Sequence, residues 1–196
     1  MKKGFTLIEL LIVIGILAVL SSAVVVVLNP AQLLAQARDT QRISDLGSIH
    51  SAIAFYLSAT NLTTKLLAPA TAGNICSTNY WATVGGVATP FSNGGGIQSG
   101  QQGRMVTGGG WVPIDLVTST ASSGGSVLSV LPIDPINTAT SFYAYSCAES
   151  DVTGIRVFEL DTVLESTKYK AKAANAADGG NAVAVDVYEV GTSLTL

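Results

Sequence analysis

Charge is scarce in this 196-residue chain: Asp, Glu, Lys and Arg together make up 12%, against about 25% in ordinary soluble domains. That shortage argues against a cytosolic helical protein, whose outer faces need charge for solvation. It argues equally against a nucleic-acid binder, which needs basic stretches to neutralise phosphates. Ten Lys and Arg stand against 13 Asp and Glu, a net charge of −3, and no basic cluster exceeds the Lys2-Lys3 pair. Histidine is nearly missing too: His50 is the only one, and Cys76 and Cys147 are the only cysteines. A zinc site built from His and Cys would need nearly all of them at one point. The glycine clusters lack a Lys-Ser/Thr ending and GxGxxG spacing, so phosphate binding has no support. Nothing points to an enzyme, and no cofactor or nucleic-acid partner is expected.

What the chain does have is apolar residues, 48% of the total, with a mean hydropathy of +0.46. They are concentrated at the start, where Phe5 to Leu28 is interrupted by one charge, Glu9. As a helix this run would measure about 36 Å, enough to cross a hydrocarbon layer of about 30 Å. Lys2 and Lys3 precede it, which places the N-terminus in the cytoplasm and the rest of the chain outside. Asn29-Pro30 predicts a break or kink in an otherwise nearly continuous helix from Phe5 to Leu57. In its second half, Ile43, Leu46, Ile49 or Ile53, and Tyr56 recur at helical spacing and form one apolar stripe. Asp39, Arg42 and Asp45 alternate in sign at three-residue steps and are expected on a solvated face.

Beyond residue 57 the composition changes: 17 of the 20 glycines and five of the six prolines lie there. Strand candidates are Trp111–Val117, Val127–Leu131, Ser141–Ser146, Ile155–Val163 and Val183–Val190, with a turn at Asp178–Asn181. The expected class is α+β: a long N-terminal helix packed by its stripe on a small antiparallel sheet with extended loops. The segments are a membrane-inserting helix at 5–28, its water-exposed continuation at 29–57 and a β-rich globular part at 58–196. Trp81, Trp111, Tyr143 and Tyr145 read as sheet core or subunit contacts rather than a sugar platform, and His50 as a surface or interfacial residue.

The N-terminus admits three readings. It could be a cleaved secretory signal with Ser21-Ser22-Ala23 before the cut, or a plain anchor carrying an extracytoplasmic binding module. Neither uses Glu9, whose carboxylate in an apolar helix costs roughly 2.5–3.5 kcal/mol and calls for a cationic partner. The third reading does use it. Lys2-Lys3-Gly4-Phe5-Thr6-Leu7-Ile8-Glu9-Leu10, followed by about twenty apolar residues, resembles the leader of type IV pilins and type II secretion pseudopilins.

That resemblance implies a pilin-like fold and the following chemistry. A prepilin peptidase would cut after Gly4, making residues 1–4 a leader, and the new N-terminal Phe5 would be N-methylated. Glu9 would support assembly. The implied partners are copies of the same chain, the peptidase, membrane lipid before assembly, and an inner-membrane platform driven by a cytoplasmic ATPase. The implied location is a single-pass membrane protein that becomes a cell-surface or periplasmic filament. Residues 38–46 are also like the helix of pseudopilins, and Leu131–Pro135 with Tyr143–Tyr145 looks like their C-terminal strand region. Pro30 lies later than the kinking proline of many pilins.

Cys76 and Cys147 are 71 residues apart in the extracytoplasmic part, where a disulfide is plausible; two unpaired buried thiols are the alternative. Asp134, Glu149, Asp151 and Asp161 are candidates for calcium, because the resemblance implies a site in the C-terminal loops, although they lack regular spacing. The competing reading of Asp134 and Asp151 is turn chemistry. Residues 118–126 read as a loop, open to glycosylation.

Overall fold

The structure, a computed structural model, describes residues 4–59, 76, 79–87, 90–91, 96–97, 102–117, 126–150, 155–173, 187–194 and 196. Two helices lead: α1 at Leu7–Leu28 and α2 at Pro30–Ala59. They meet at Asn29, whose φ of 41° is left-handed, a conformation asparagine tolerates better than other side-chain-bearing residues. Asn29 ends α1 and opens α2, its carbonyl accepting the Gln32 N–H at 2.9 Å. Pro30 then occupies the first helical position, where a missing N–H costs nothing. The junction is therefore a double cap, and the helix expected to be nearly continuous is two helices.

The described strands are β1 (Asn79–Ala82), β2 (Gly96–Ile97), β3 (Tyr143–Ser150), β4 (Ile155–Val163) and β5 (Val187–Gly191). A short helix, α3 (Thr167–Ala173), connects the last two. Strand order is β2-β1-β3-β4-β5. All pairings are antiparallel except the two-residue β1–β2 contact, which is parallel. The α+β class holds, and β4 has the predicted bounds. Trp111–Val117 and Val127–Leu131 are not strands: they run as bends and isolated bridges, such as Thr107 with Asp115. Gly108–Gly110 and Pro113 deny the first of them a ladder, and it packs as irregular chain instead. The turn expected at Asp178–Asn181 and most of the loop at 118–126 lie outside the described residues.

The stripe of α2 meets the sheet as its periodicity requires. Leu46, Ile49, Ala52, Ile53 and Tyr56 are buried in one cluster with Trp111, Tyr143, Tyr145, Phe158 and Leu160, while Ile43 is half-buried. Trp81 joins this cluster, whereas Tyr80, Ala82 and Ala144 point the other way into a second one with Phe91 and Phe142. Alternation along β1 and β3 thus buries both faces of the sheet. His50 is half-buried, its ring 5.5 Å from that of Phe158, so it packs between helix and sheet rather than lying on the surface.

Cys76 and Cys147 are joined in a disulfide, both fully within the core. Cys76 follows α2 in the chain and Cys147 lies in β3, so the bond ties the return from the helix to the sheet. Closing so long a loop restricts the unfolded chain, so replacing both cysteines with serine is expected to cost about 2–5 kcal/mol. Thermal unfolding of the detergent-solubilised chain reads this, and a midpoint unmoved by the substitution would show that the bond contributes nothing.

Candidate functional site

The N-terminal segment carries the chemistry that the sequence singles out. Gly4, Phe5 and Thr6 are non-helical, and the helix begins only at Leu7. The Gly4–Phe5 bond therefore lies in open chain: none of the described residues stands within 4 Å of where a side chain on Gly4 would be, and Phe5 is 85% exposed. Thr6 caps α1 in extended conformation, its hydroxyl accepting the Glu9 N–H at 3.3 Å. Glu9 reaches back, its Oε2 accepting the Thr6 N–H at 2.8 Å and the Thr6 hydroxyl at 2.7 Å. Within one chain the Glu9 carboxylate thus meets neutral donors. The Thr6-x-x-Glu9 spacing is a capping box, a signal in the sequence that the search for a cationic partner passed over. Both donors fall on Oε2, and among the described residues none donates to Oε1.

Beyond Glu9, α1 is exposed along its described length, with none of its Leu7–Val25 span buried by the rest of the chain. By length and composition it can cross a membrane. The apolar surface continues past the break, where Leu33 and Leu34 are exposed.

The charges expected on a solvated face of α2 lie in the interior. Arg42 is 0% exposed and is held by three acids. Its Nε donates to Asp134 Oδ2 at 2.5 Å, its Nη1 to Asp39 Oδ1 at 2.9 Å, and its Nη2 lies 2.5 Å from Glu165 Oε1. Asp39, also 0% exposed, accepts the backbone N–H groups of Glu165 and Ser166 at 3.0 and 2.8 Å. Arg38 pairs with Glu165 at the half-exposed rim. Asp45 is half-buried and accepts the Tyr143 hydroxyl at 2.9 Å. Helical periodicity showed which α2 residues share a face. It could not show that acids 92 and 123 positions downstream would cover that face.

Burial would raise the pKa of Asp39, but hydrogen bonds from Ser166, Glu165 and Arg42 outweigh it and hold the carboxyl below its usual range. Asp134 behaves likewise: burial opposes, and Arg42 with the Asn137 and Ile136 N–H groups prevails. Glu165 is lowered chiefly by Arg38, with Arg42 assisting. Asp45 moves the other way, raised by its burial.

This arrangement accounts for Asp134 without calcium. Its Oδ1 accepts the Ile136 and Asn137 N–H groups as an Asx turn does, and both oxygens face the Arg42 guanidinium, whose charge repels a cation. Asp151 lies outside the described residues. Asp161 joins neither. It stands beside Glu159 and Glu189 across the β4–β5 pair, the one group of three acids among the described residues whose ligand oxygens all lie within 4.8 Å of one another. Such oxygens suit hard cations, but all three acids have contacts inside the protein, Glu159 with the Leu196 N–H among them.

A basic cluster was also missed. Lys168, Lys170 and Lys172 share α3, larger than the Lys2-Lys3 pair taken as the maximum. Their every-second-residue spacing hides them from a search for consecutive charges.

Residues 1–25 match the family model described as the prokaryotic N-terminal methylation motif, the hallmark of type IV pilins and pseudopilins. No curated protein and no solved structure matches the chain.

Arg42→Met strands Asp39 and Asp134 in the interior and is expected to cost about 3–5 kcal/mol. At the half-exposed rim, Arg38→Met should cost far less, because solvent screens that pair. Urea unfolding of the detergent-solubilised chain measures both, and equal losses would contradict the burial argument. Because Asp39, Asp134 and Glu165 have lowered pKa values, their stabilisation is complete above their unfolded values of about 4 and is lost as pH falls through the folded ones. Asp45, raised, opposes this by favouring the fold at low pH. The thermal midpoint should therefore drop below about pH 4, and Arg42→Met should flatten or invert that acid limb.

Proposed function

We propose that this chain is a structural subunit that polymerises through α1 into a type IV pilus or a secretion pseudopilus. The observation that carries the reading is the match of residues 1–25 to the N-terminal methylation motif; Gly4, Phe5 and Glu9, the residues to which we give its chemistry, lie within that stretch. An open Gly4–Phe5 bond suits hydrolysis by a prepilin peptidase. The cut removes Lys2 and Lys3, leaving eight cationic side chains against 13 acids, or −5. It also frees an amine on Phe5. Such α-amines have a pKa of about 7.7–8.0, so this one is largely cationic at neutral pH, and a methyl group leaves it able to hold a proton.

In a bundle of α1 helices, the Phe5 ammonium of one subunit can approach the Glu9 Oε1 of its neighbour while Thr6 holds Oε2. In a low-dielectric setting either charge alone is costly and the pair is far less so, so the pair sets axial register. The exposed apolar surface of α1 exchanges lipid for neighbouring helices. Contacts of this head-to-tail kind do not close, and they generate an open helical filament. Before assembly the subunit sits in the membrane with its N-terminus in the cytoplasm. An inner-membrane platform with a cytoplasmic ATPase supplies the work of extraction, and the filament lies at the cell surface or in the periplasm.

Mass spectrometry of the N-terminal peptide from the sheared surface fraction tests this first. The expected peptide starts at Phe5 and carries one added methyl; a start at Val24 would mean a secreted domain, and an intact Met1 a plain anchor. Glu9→Val should leave membrane insertion unchanged and abolish filaments seen by electron microscopy. Normal filaments from that variant would remove Glu9 from the mechanism.

A further inference from the structure

Once Lys2 and Lys3 are set aside, four lysines remain, and three of them, Lys168, Lys170 and Lys172, fall within the seven residues of α3. An acidic chain has gathered most of its remaining lysine on one turn and a half of helix.

The helix has an inner and an outer side. Ala173 is buried, and the half-buried Tyr169 places its hydroxyl 3.2 Å from that of Thr40 on α2. Lys168 and Ala171 are exposed, and position 172, four residues after 168, falls on their side. The Lys168 ammonium lies 5.3 Å from the Tyr169 ring centroid, which steadies the charged side chain at the surface. Lys170 is half-buried and engaged within the domain, so Lys168 and position 172 form the leading edge.

Location gives this edge its meaning. Thr167 donates its N–H and its hydroxyl to Gln32 Oε1, each at 3.3 Å, and Tyr169 meets Thr40. α3 therefore lies against the stretch of α2 that begins about 3 Å beyond Pro30 and extends to about 15 Å, at about 1.5 Å per residue. A headgroup layer adds about 5–8 Å to each side of the hydrocarbon, and charges there act over about 8 Å at physiological salt. Leu33 and Leu34, exposed at the same level of α2, suit that interfacial depth.

We propose that α3 is a membrane-surface foot: Lys168 and Lys172 bind the phosphates of anionic phospholipids in the leaflet where α1 emerges, holding the domain against the bilayer before assembly. This rests on the reading that α1 spans a membrane. Each lysine near such a surface strengthens the contact about fivefold, so the bound population depends on lipid charge and on salt.

The test uses the full chain in nanodiscs of phosphatidylcholine, with or without about 30% phosphatidylglycerol and with a trace of headgroup-spin-labelled lipid. Paramagnetic relaxation of backbone amides reports proximity to the headgroups. In the wild type, relaxation of the α3 amides should rise severalfold with phosphatidylglycerol and fall back at about 0.5 M salt, where screening shortens to a few ångströms. The K168Q/K172Q variant should lose the response. Wild-type α3 amides that relax equally in both lipids would overturn the proposal, as they would if the lysines faced an acidic protein surface instead. A chain that fails to stay with the discs at all would overturn the membrane reading itself, an outcome separable from the first.

Discussion

The buried guanidinium of Arg42 is the constraint on which the architecture depends. It joins a neighbour on its own helix, Asp39 one turn back, to acids from two distant parts of the chain: Asp134 from the approach to β3, and Glu165 from the turn after β4. Hydrophobic burial below it, from Leu46 to Tyr56, supplies attraction but little directionality. A helix with only that stripe could slide or rotate on the aromatic floor of Trp111, Tyr143 and Tyr145. The fork of Arg42 accepts one position. With that position set, the Glu165–Ser166 backbone bonds to Asp39, which starts α3 beside α2, and Tyr143 reaches Asp45.

The two leading helices are built for opposite surroundings. α2 is committed: one face is buried in the domain and its charges are paired inside it. α1 is apolar, and none of its Leu7–Val25 span is buried by the described residues. Asn29 and Pro30 separate the two by ending one hydrogen-bond ladder and capping the next. Each helix can therefore respond to its own medium without disturbing the other.

Much of this was legible in the sequence, and the pattern of what was not is instructive. The apolar run, the break at Asn29-Pro30, the stripe of α2 and the whole of β4 follow from periodicity and local chemistry. The N-terminal motif is local too, since Gly4, Phe5 and Glu9 lie within six residues. What escaped depends on distant pairing. Asp39 and Arg42 read as solvated because their partners lie far along the chain. Trp111–Val117 read as a strand because its apolar residues are buried, although by irregular packing. β1 and β2 were too short to stand out, and α3 was overlooked because its lysines alternate as they would in a strand. The turn chemistry of Asp134 was legible in Asp134-Pro135, but its pairing with Arg42, 92 residues back, was not.

The disulfide and the Arg42 cluster also decide how a pull is transmitted. Tension along α1 passes across Asn29 into α2, and from there into the domain at two stations. The ionic clasp lies short of the middle of α2, and the Cys76–Cys147 bond takes up the chain after its far end. Between them the stripe is loaded in shear along its length, so its contacts must yield together rather than one at a time. The Asn29–Pro30 junction is the compliant link and the helix–sheet seam the stiff one, so α1 can bend against the domain without peeling it open.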